Sequence, residues 1–199
     1  MQNRSKRTRE KVLAAAEKVL CEDGFDAITT RRLAAVAGIS VGSIYEYFPS
    51  VQAVLYQIYE RRLEELLAII DRAFGEENLQ ESLADTLLQY YRMQRQASFP
   101  ARVDLELRDA IDRDARLAEM TRHFQTELSE RYVTLLKHYG SNWSTEDLLK
   151  LAEFAHQLDH INLKMQKGRS PEDRRLFGGV TIALFAEMAR HCGAMQDRD

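Results

Sequence analysis

The chain has little that would staple or punctuate it: two cysteines, three prolines and nine glycines in 199 residues. Cys21 and Cys192 lie far apart and without metal-ligand spacing, which argues against a disulfide framework or a cysteine-based zinc cluster. No apolar run approaches the roughly 20 residues that cross a bilayer, and no signal-type hydrophobic stretch follows the charged N-terminus. The expected location is therefore the cytoplasm, with no membrane partner. A phosphate-cradling glycine loop, a nucleophile elbow and any readable pairing of nucleophile with base are also missing, so neither catalysis nor a cofactor is expected. Few helix breakers and 45% hydrophobic residues point instead to an all-α chain able to bury a sizeable core.

What is present is concentrated in residues 28–48, I-T-T-R-R-L-A-A-V-A-G-I-S-V-G-S-I-Y-E-Y-F. Thr30 is expected to cap a helix whose apolar face carries Leu33, Val36 and Ala37. Gly38 can take the left-handed conformation that ends it, and Ile39 can plug the crevice beyond. Ser40 then caps a second, very short helix over 41–47. Its small first residues, Val41, Gly42 and Ser43, let backbone approach another molecule, and Tyr45 and Tyr47 follow. That sequence of helix, tight turn and short helix is the build of a DNA-reading helix-turn-helix.

In spacing and residue type the segment resembles the TetR family of bacterial transcriptional regulators. Thr29, Thr30, Leu33, Ala34, Ala37, Gly38, Ile39, Ser40, Gly42, Ile44, Tyr45, Tyr47 and Phe48 all match its motif. The resemblance covers about the first sixty residues. It departs at Val51 and Gln52, where the family often carries a lysine that reaches a phosphate. The helix start after Ser50 can offer backbone N–H groups instead. The resemblance implies an N-terminal three-helix DNA-binding domain, placed at 1–50, and a helical effector-binding and dimerisation domain, placed at 51–199.

Charge is distributed unevenly. Arg4, Lys6, Arg7, Arg9 and Lys11 against Glu10 give the first eleven residues a net +4, while the whole chain carries −3. A basic arm on an acidic protein favours phosphate or minor-groove contact that weakens as salt rises. The expected DNA-contacting set is Arg4, Lys6, Arg7, Thr29, Thr30, Arg31, Ser40, Val41, Gly42, Ser43, Tyr45 and Tyr47. Ser40 to Ser43 are expected at base edges or thymine methyls, and Thr30, the tyrosines and the arm at phosphates.

Beyond the motif, helical periodicity predicts helices over 8–23, 50–74, 79–97, 103–112, 115–139, 144–167 and 171–192, the last opened by Pro171 at its first turn. The long helix after Ser50 is expected to link the two domains and to transmit motion. The charges at 102–116 read as a solvated helix surface laced with ion pairs. The last two helices are apolar on two sides, so each is expected to be buried twice, once in its own subunit and once in a two-fold dimer. Leu149, Ala152, His156, His160 and Leu163 would dock with Gly179, Ala183 and Ala186, because paired helix-turn-helix units must stand about 34–36 Å apart to enter successive major grooves. His156, His160 and Glu153 could hold a metal only with a ligand from elsewhere, and no metal is assigned.

Pockets of the kind the family uses form near breaks and helix ends, which nominates Met93, Phe99, Leu107, Met120, Phe124 and Trp143 as lining for a small-molecule effector. The reading is a homodimeric repressor released from a palindromic operator by that effector. The alternative is a DNA-binding protein of the same fold whose second domain contacts a protein partner.

Overall fold

In the computed structural model every regular element among the described residues is helical, as the periodicity and the resemblance imply. The structure describes residues 2–80, 82–96, 101–165 and 169–193, except the side chains of 2–4, 95, 101, 159, 163, 171 and 174. The helices are α1 Gln2–Asp23, α2 Thr30–Ala37, α3 Val41–Tyr45, α4 Val51–Ala73, α5 Leu83–Gln96, α6 Ala101–Ile111, α7 Ala115–His138, α8 Thr145–Met165 and α9 Pro171–His191. Single 3-10 turns occupy Phe25–Ala27 and Glu76–Asn78.

The start signals act through hydroxyl caps that satisfy otherwise orphaned amides. Ser50 accepts from Ala53 N–H at 3.2 Å, Ser144 from Asp147 N–H at 3.1 Å and Ser170 from Asp173 N–H at 3.1 Å. The largest departures from expectation are two helix starts. α1 begins near the first residues rather than at Thr8, and α5 begins at Leu83 rather than Leu79. The delay has a local cause: the buried Thr86 hydroxyl accepts from Gln80 N–H at 2.9 Å, holding that backbone outside the helical ladder.

The helices fall into two compact units. One gathers the chain up to Glu64 with α6 and the beginning of α7, up to Thr121; the other gathers the end of α4, α5, and everything from Arg122. In the first unit Val12, Leu13, Val19 and Leu20 of α1 pack with Leu33, Ile44, Phe48, Val54, Ile58, Val103 and Leu107. In the second, Leu83, Leu87, Leu135, Leu136 and Leu148 form one cluster, and Ile69, Ile70, Tyr90 and Leu128 another.

α6 is not the solvated surface its charges suggest. Val103, Leu107 and Ala110 are fully buried, and Asp104 is only 9% exposed. Its carboxylate sits between Arg62 of α4 and Arg108, each at 3.2 Å. On the same helix Glu106 accepts from Phe25 N–H at 3.1 Å, while Tyr56 of α4 donates to Asp114 at 3.0 Å. Polar residues at helical spacing thus fasten α6 to both α4 and the turn after α1. Periodicity alone could not separate them from exposed ion pairs.

Burial pushes the Asp104 carboxyl up, but Arg108 and Arg62 outweigh it and hold the group below the ordinary carboxylate range. Because the folded value is depressed, its stabilising contribution is complete above the unfolded value, about 3.9, and fades as pH falls through the folded one. Asp104→Asn leaves two arginines without their shared anion and is expected to cost about 3–5 kcal/mol in urea unfolding at pH 7. That difference from the native chain should shrink at the acid end of the pH range. A cost under about 0.5 kcal/mol would mean the trio does not hold α6.

Candidate functional site

The helix-turn-helix is α2, the turn at 38–40 and α3. Thr29, not Thr30, caps α2: its backbone is extended and its hydroxyl accepts from Arg32 N–H at 3.2 Å, while Thr30 is the first helical residue. The cap lies one residue earlier because the threonine pair offers two equivalent hydroxyls and only the backbone path chooses between them. Gly38 closes α2 with φ 66°, the left-handed region where a Cβ is penalised, and its N–H reaches Ala34 O. Ile39 N–H donates to the same carbonyl at 3.1 Å, and its side chain packs on the core. Ser40 caps α3 by accepting from Ser43 N–H at 3.0 Å, and the two hydroxyls stand 2.8 Å apart.

α3 ends at Tyr45, shorter than expected, and is pinned by Ile44 and Phe48, 0% and 2% exposed. That anchoring decides which residues face outward. Val41, Gly42, Tyr45 and Glu46 are exposed, Ser43 is half-buried, and Tyr47 is half-buried against the core. Glu46, absent from the expected contact set, therefore stands on the outer face beside Tyr45. Its signal was the same helical spacing that placed Val41 and Gly42 there.

The basic residues divide by partner. Arg32 lies on Asp23 with two nitrogens at 2.7 and 3.1 Å, and Arg9 donates to Gln57 at 2.9 Å with its guanidinium over the Phe48 ring. Glu10 is paired with Arg61 at 2.6 Å, and that hydrogen bond holds its carboxyl below the ordinary range. These cations brace the unit. Lys6, Arg7 and Arg31 are exposed, and the Arg4 side chain lies outside the described residues. Because α1 already includes these positions, Lys6 and Arg7 are offered from a helix rather than an extended arm, a geometry suited to phosphates more than to threading a minor groove.

In the second unit α5, α7, α8 and α9 border a partly open cavity of about 70 Å³. Its wall includes Leu87, Tyr90, Tyr91, Gln94, Leu128 and Tyr132, together with Ala155, His156 and Phe185. None of the described residues nominated for a pocket lines it, although Trp143 borders a more open pocket with Asp147, Lys150, Leu151 and Phe154. Met93 and Phe124 pack on the adjoining Ile70–Tyr90 cluster, Trp143 on the Leu83–Leu148 cluster, and Leu107 and Met120 belong to the core of the first unit. Phe99 lies outside the described residues. The nominations favoured helix ends, whereas the cavity lies where mid-helix rings and alanines fail to fill the space between four helices.

The face expected to dock a second chain also changes. Ala152 is 4% exposed within its own subunit, and His156 turns into the cavity, with its ring against that of Tyr132 at 5.8 Å. Leu149, Gly179 and Ala183 are exposed, His160 and Ala186 half-buried, and the Leu163 side chain lies outside the described residues. The large exposed apolar groups are Phe154, Ile161 and Met165 of α8 and Leu176, Val180 and Leu184 of α9. With apolar residues on both sides of α8, only packing could assign the phase.

A family model described as bacterial regulatory proteins, tetR family, matches residues 12–58, which span α1, α2, α3 and the start of α4. Residues 12–58 thus carry a DNA-binding segment of the tetR-family type. Among curated relatives, nucleoid occlusion factor SlmA of Actinobacillus pleuropneumoniae is 36% identical over 67 residues, covering 34% of this chain and 33% of that protein. HTH-type transcriptional repressor KstR of Mycolicibacterium smegmatis is 34% identical over 65 residues, 33% of this chain and 32% of the other. The match thus spans about a third of the length of these relatives. Beyond it the fold continues to agree. Thermus thermophilus FadR, a TetR-family transcriptional repressor solved with lauroyl-CoA, superposes with a TM-score of 0.64 at 17% identity over 96% of both chains.

Two variants test the interface of this helix-turn-helix head. A Cβ at Gly42 would meet nothing closer than the Ser40 hydroxyl at 3.7 Å, so Gly42→Ala fits the free protein and should raise its stability by up to about 1 kcal/mol. If α3 enters the groove start-first, the same methyl lowers DNA affinity by roughly tenfold or more; unchanged affinity would remove Gly42 from the contact surface. Replacing Lys6 and Arg7 together by alanine should flatten the slope of log affinity against log salt by about 2.

Proposed function

We propose that the protein is a homodimeric repressor that occupies a palindromic operator in the cytoplasm and leaves it when a small molecule fills the cavity of the second unit. The observation that carries the reading is the capped and core-anchored α3, which presents Val41, Gly42 and Tyr45 as an uncluttered edge. Val41 suits a thymine methyl, and the Tyr45 hydroxyl suits a phosphate. Lys6, Arg7 and Arg31 supply the salt-sensitive part of the affinity, with Thr29 and Thr30 at the mouth of α2 as further phosphate partners. The division of labour follows: DNA contact by residues 1–50, and effector binding and dimerisation by residues 51–199.

Pairing is supported by the exposed Phe154, Ile161, Leu176, Val180 and Leu184, between 48% and 64% accessible on helices that a lone subunit leaves facing water. Apolar groups of that size on adjacent helices mark an interaction surface, and a two-fold partner presents the same patch in return. Ligand release is supported by the cavity and by FadR, whose structure holds lauroyl-CoA. The effector can shift DNA affinity only by the ratio of its affinities for the released and the DNA-competent states.

The test is selection of binding sites from random duplex DNA followed by footprinting. The expected outcome is an inverted repeat whose half-site centres lie about 34–36 Å apart, or a multiple of that, bound by a dimer. Leu184→Glu should give a folded monomer in sedimentation with operator affinity reduced at least about 100-fold, since one head loses the contribution of the other. Equal, weak binding to every fragment would overturn the operator reading. A Leu184→Glu chain that still sediments as a dimer would move the interface elsewhere.

A further inference from the structure

We propose that Glu46 is a specificity-determining residue of the DNA-reading face, accepting a hydrogen bond from the amino group of a cytosine in the major groove of each half-site. The inference rests on the operator reading above and adds to it one base and the side chain that reads it.

Placement comes first. Glu46 follows α3 in right-handed helical conformation, φ −63° and ψ −26°, with its N–H on Gly42 O at 3.2 Å. The chain beyond keeps the helical phase, because Phe48 N–H donates to Ile44 O at 2.9 Å. The two side chains that sink this segment into the core, Ile44 and Phe48, each stand two residues from Glu46. At roughly 3.6 residues per turn that is about 160° around the axis. Glu46 is therefore the residue aimed most directly away from the core, and it is exposed.

Its approach is unobstructed. A helical side chain leans toward the helix start and covers the turn before its own Cα, which for Glu46 is the turn holding Gly42. Gly42 has no Cβ to stand in the way, and one built there would meet nothing nearer than the Ser40 hydroxyl at 3.7 Å. Bare backbone and carboxylate thus share one patch of the outer face, flanked by Val41 and Tyr45 on one side and Ser43 on the other.

Charge decides what that patch can meet. Glu46 is the one acidic residue between Asp26 and Glu60. Among the described residues no cation or hydrogen-bond donor occupies its carboxylate, whereas Asp23 holds Arg32 and Glu10 holds Arg61. A carboxylate brought against DNA lowers affinity, through phosphate repulsion and lost hydration, unless a donor on a base edge satisfies it. In the major groove guanine shows N7 and O6 and thymine shows O4, all acceptors that repel an anion. Adenine sets N7 beside its amino group, which leaves the cytosine N4 amino group as the donor without an adjacent acceptor.

The test selects binding sites from random duplex DNA with the native chain, Glu46→Ala and Glu46→Gln in parallel, followed by titrations on fixed duplexes. Circular dichroism checks that both variants keep native helicity. The native selection is expected to show one cytosine in each half of the repeat that Glu46→Ala leaves undetermined. Glu46→Gln should turn it to adenine, since an amide can bridge adenine N6 and N7. Replacing that C·G pair by T·A should weaken the native chain at least about tenfold and Glu46→Ala less than about twofold. Tighter binding of Glu46→Ala to every sequence alike would overturn the assignment, making Glu46 a repelling charge with no partner base. The same base preferences from all three chains would overturn it too and leave the operator reading standing. A native chain that enriches no sequence overturns both.

Discussion

A helix of five residues cannot hold itself together in water, because nucleation costs more than its few hydrogen bonds return. α3 exists because the rest of the first unit makes it exist. Ile44 and Phe48 are sunk among residues from α1, α2, α4 and α6, and Gly38 and Ser40 fix the chain's direction on the way in. The residues of α3 that face outward are those left over once this anchoring is satisfied. Recognition by such a helix is therefore a property of the whole unit, and changes that loosen its core reach the interface without touching it.

α6 belongs to that core by a different kind of force. Its apolar residues Val103, Leu107 and Ala110 are packed, but its position is set by polar contacts: Asp104 between two arginines, and Glu106 on the Phe25 amide. Buried ion pairs contribute little net stability relative to apolar packing, yet they penalise every arrangement in which one partner is left alone. The same segment that closes the first unit thus has a narrow choice of position. This makes α6 and the start of α4 a directional attachment rather than a sliding hydrophobic one.

The second unit shows the converse. Its helices carry more apolar surface than one subunit uses: part of it bounds a cavity and part faces water on α8 and α9. Phe154 and Leu176 stay more than half accessible, whereas tyrosines and an imidazole line the cavity. In the function proposed above, one apolar excess meets a second copy of the chain and the other a small molecule.

The helix-turn-helix was legible because its elements are local. A hydroxyl that caps within three residues, a glycine that must accept positive φ, and small residues at a helix start each act on neighbours in sequence, so Gly38, Ser40 and the outward set around Val41 could be read directly. Even there, the choice of Thr29 over Thr30 as cap required the backbone path. The second unit was legible only as helices with apolar faces. Whether Phe154 points inward or Ala152 does, whether Asp104 is solvated or clasped, and where four helices fail to fill the space between them depend on helices distant along the chain. Periodicity records that a face is apolar and not what lies against it, and that assignment is made by tertiary packing alone.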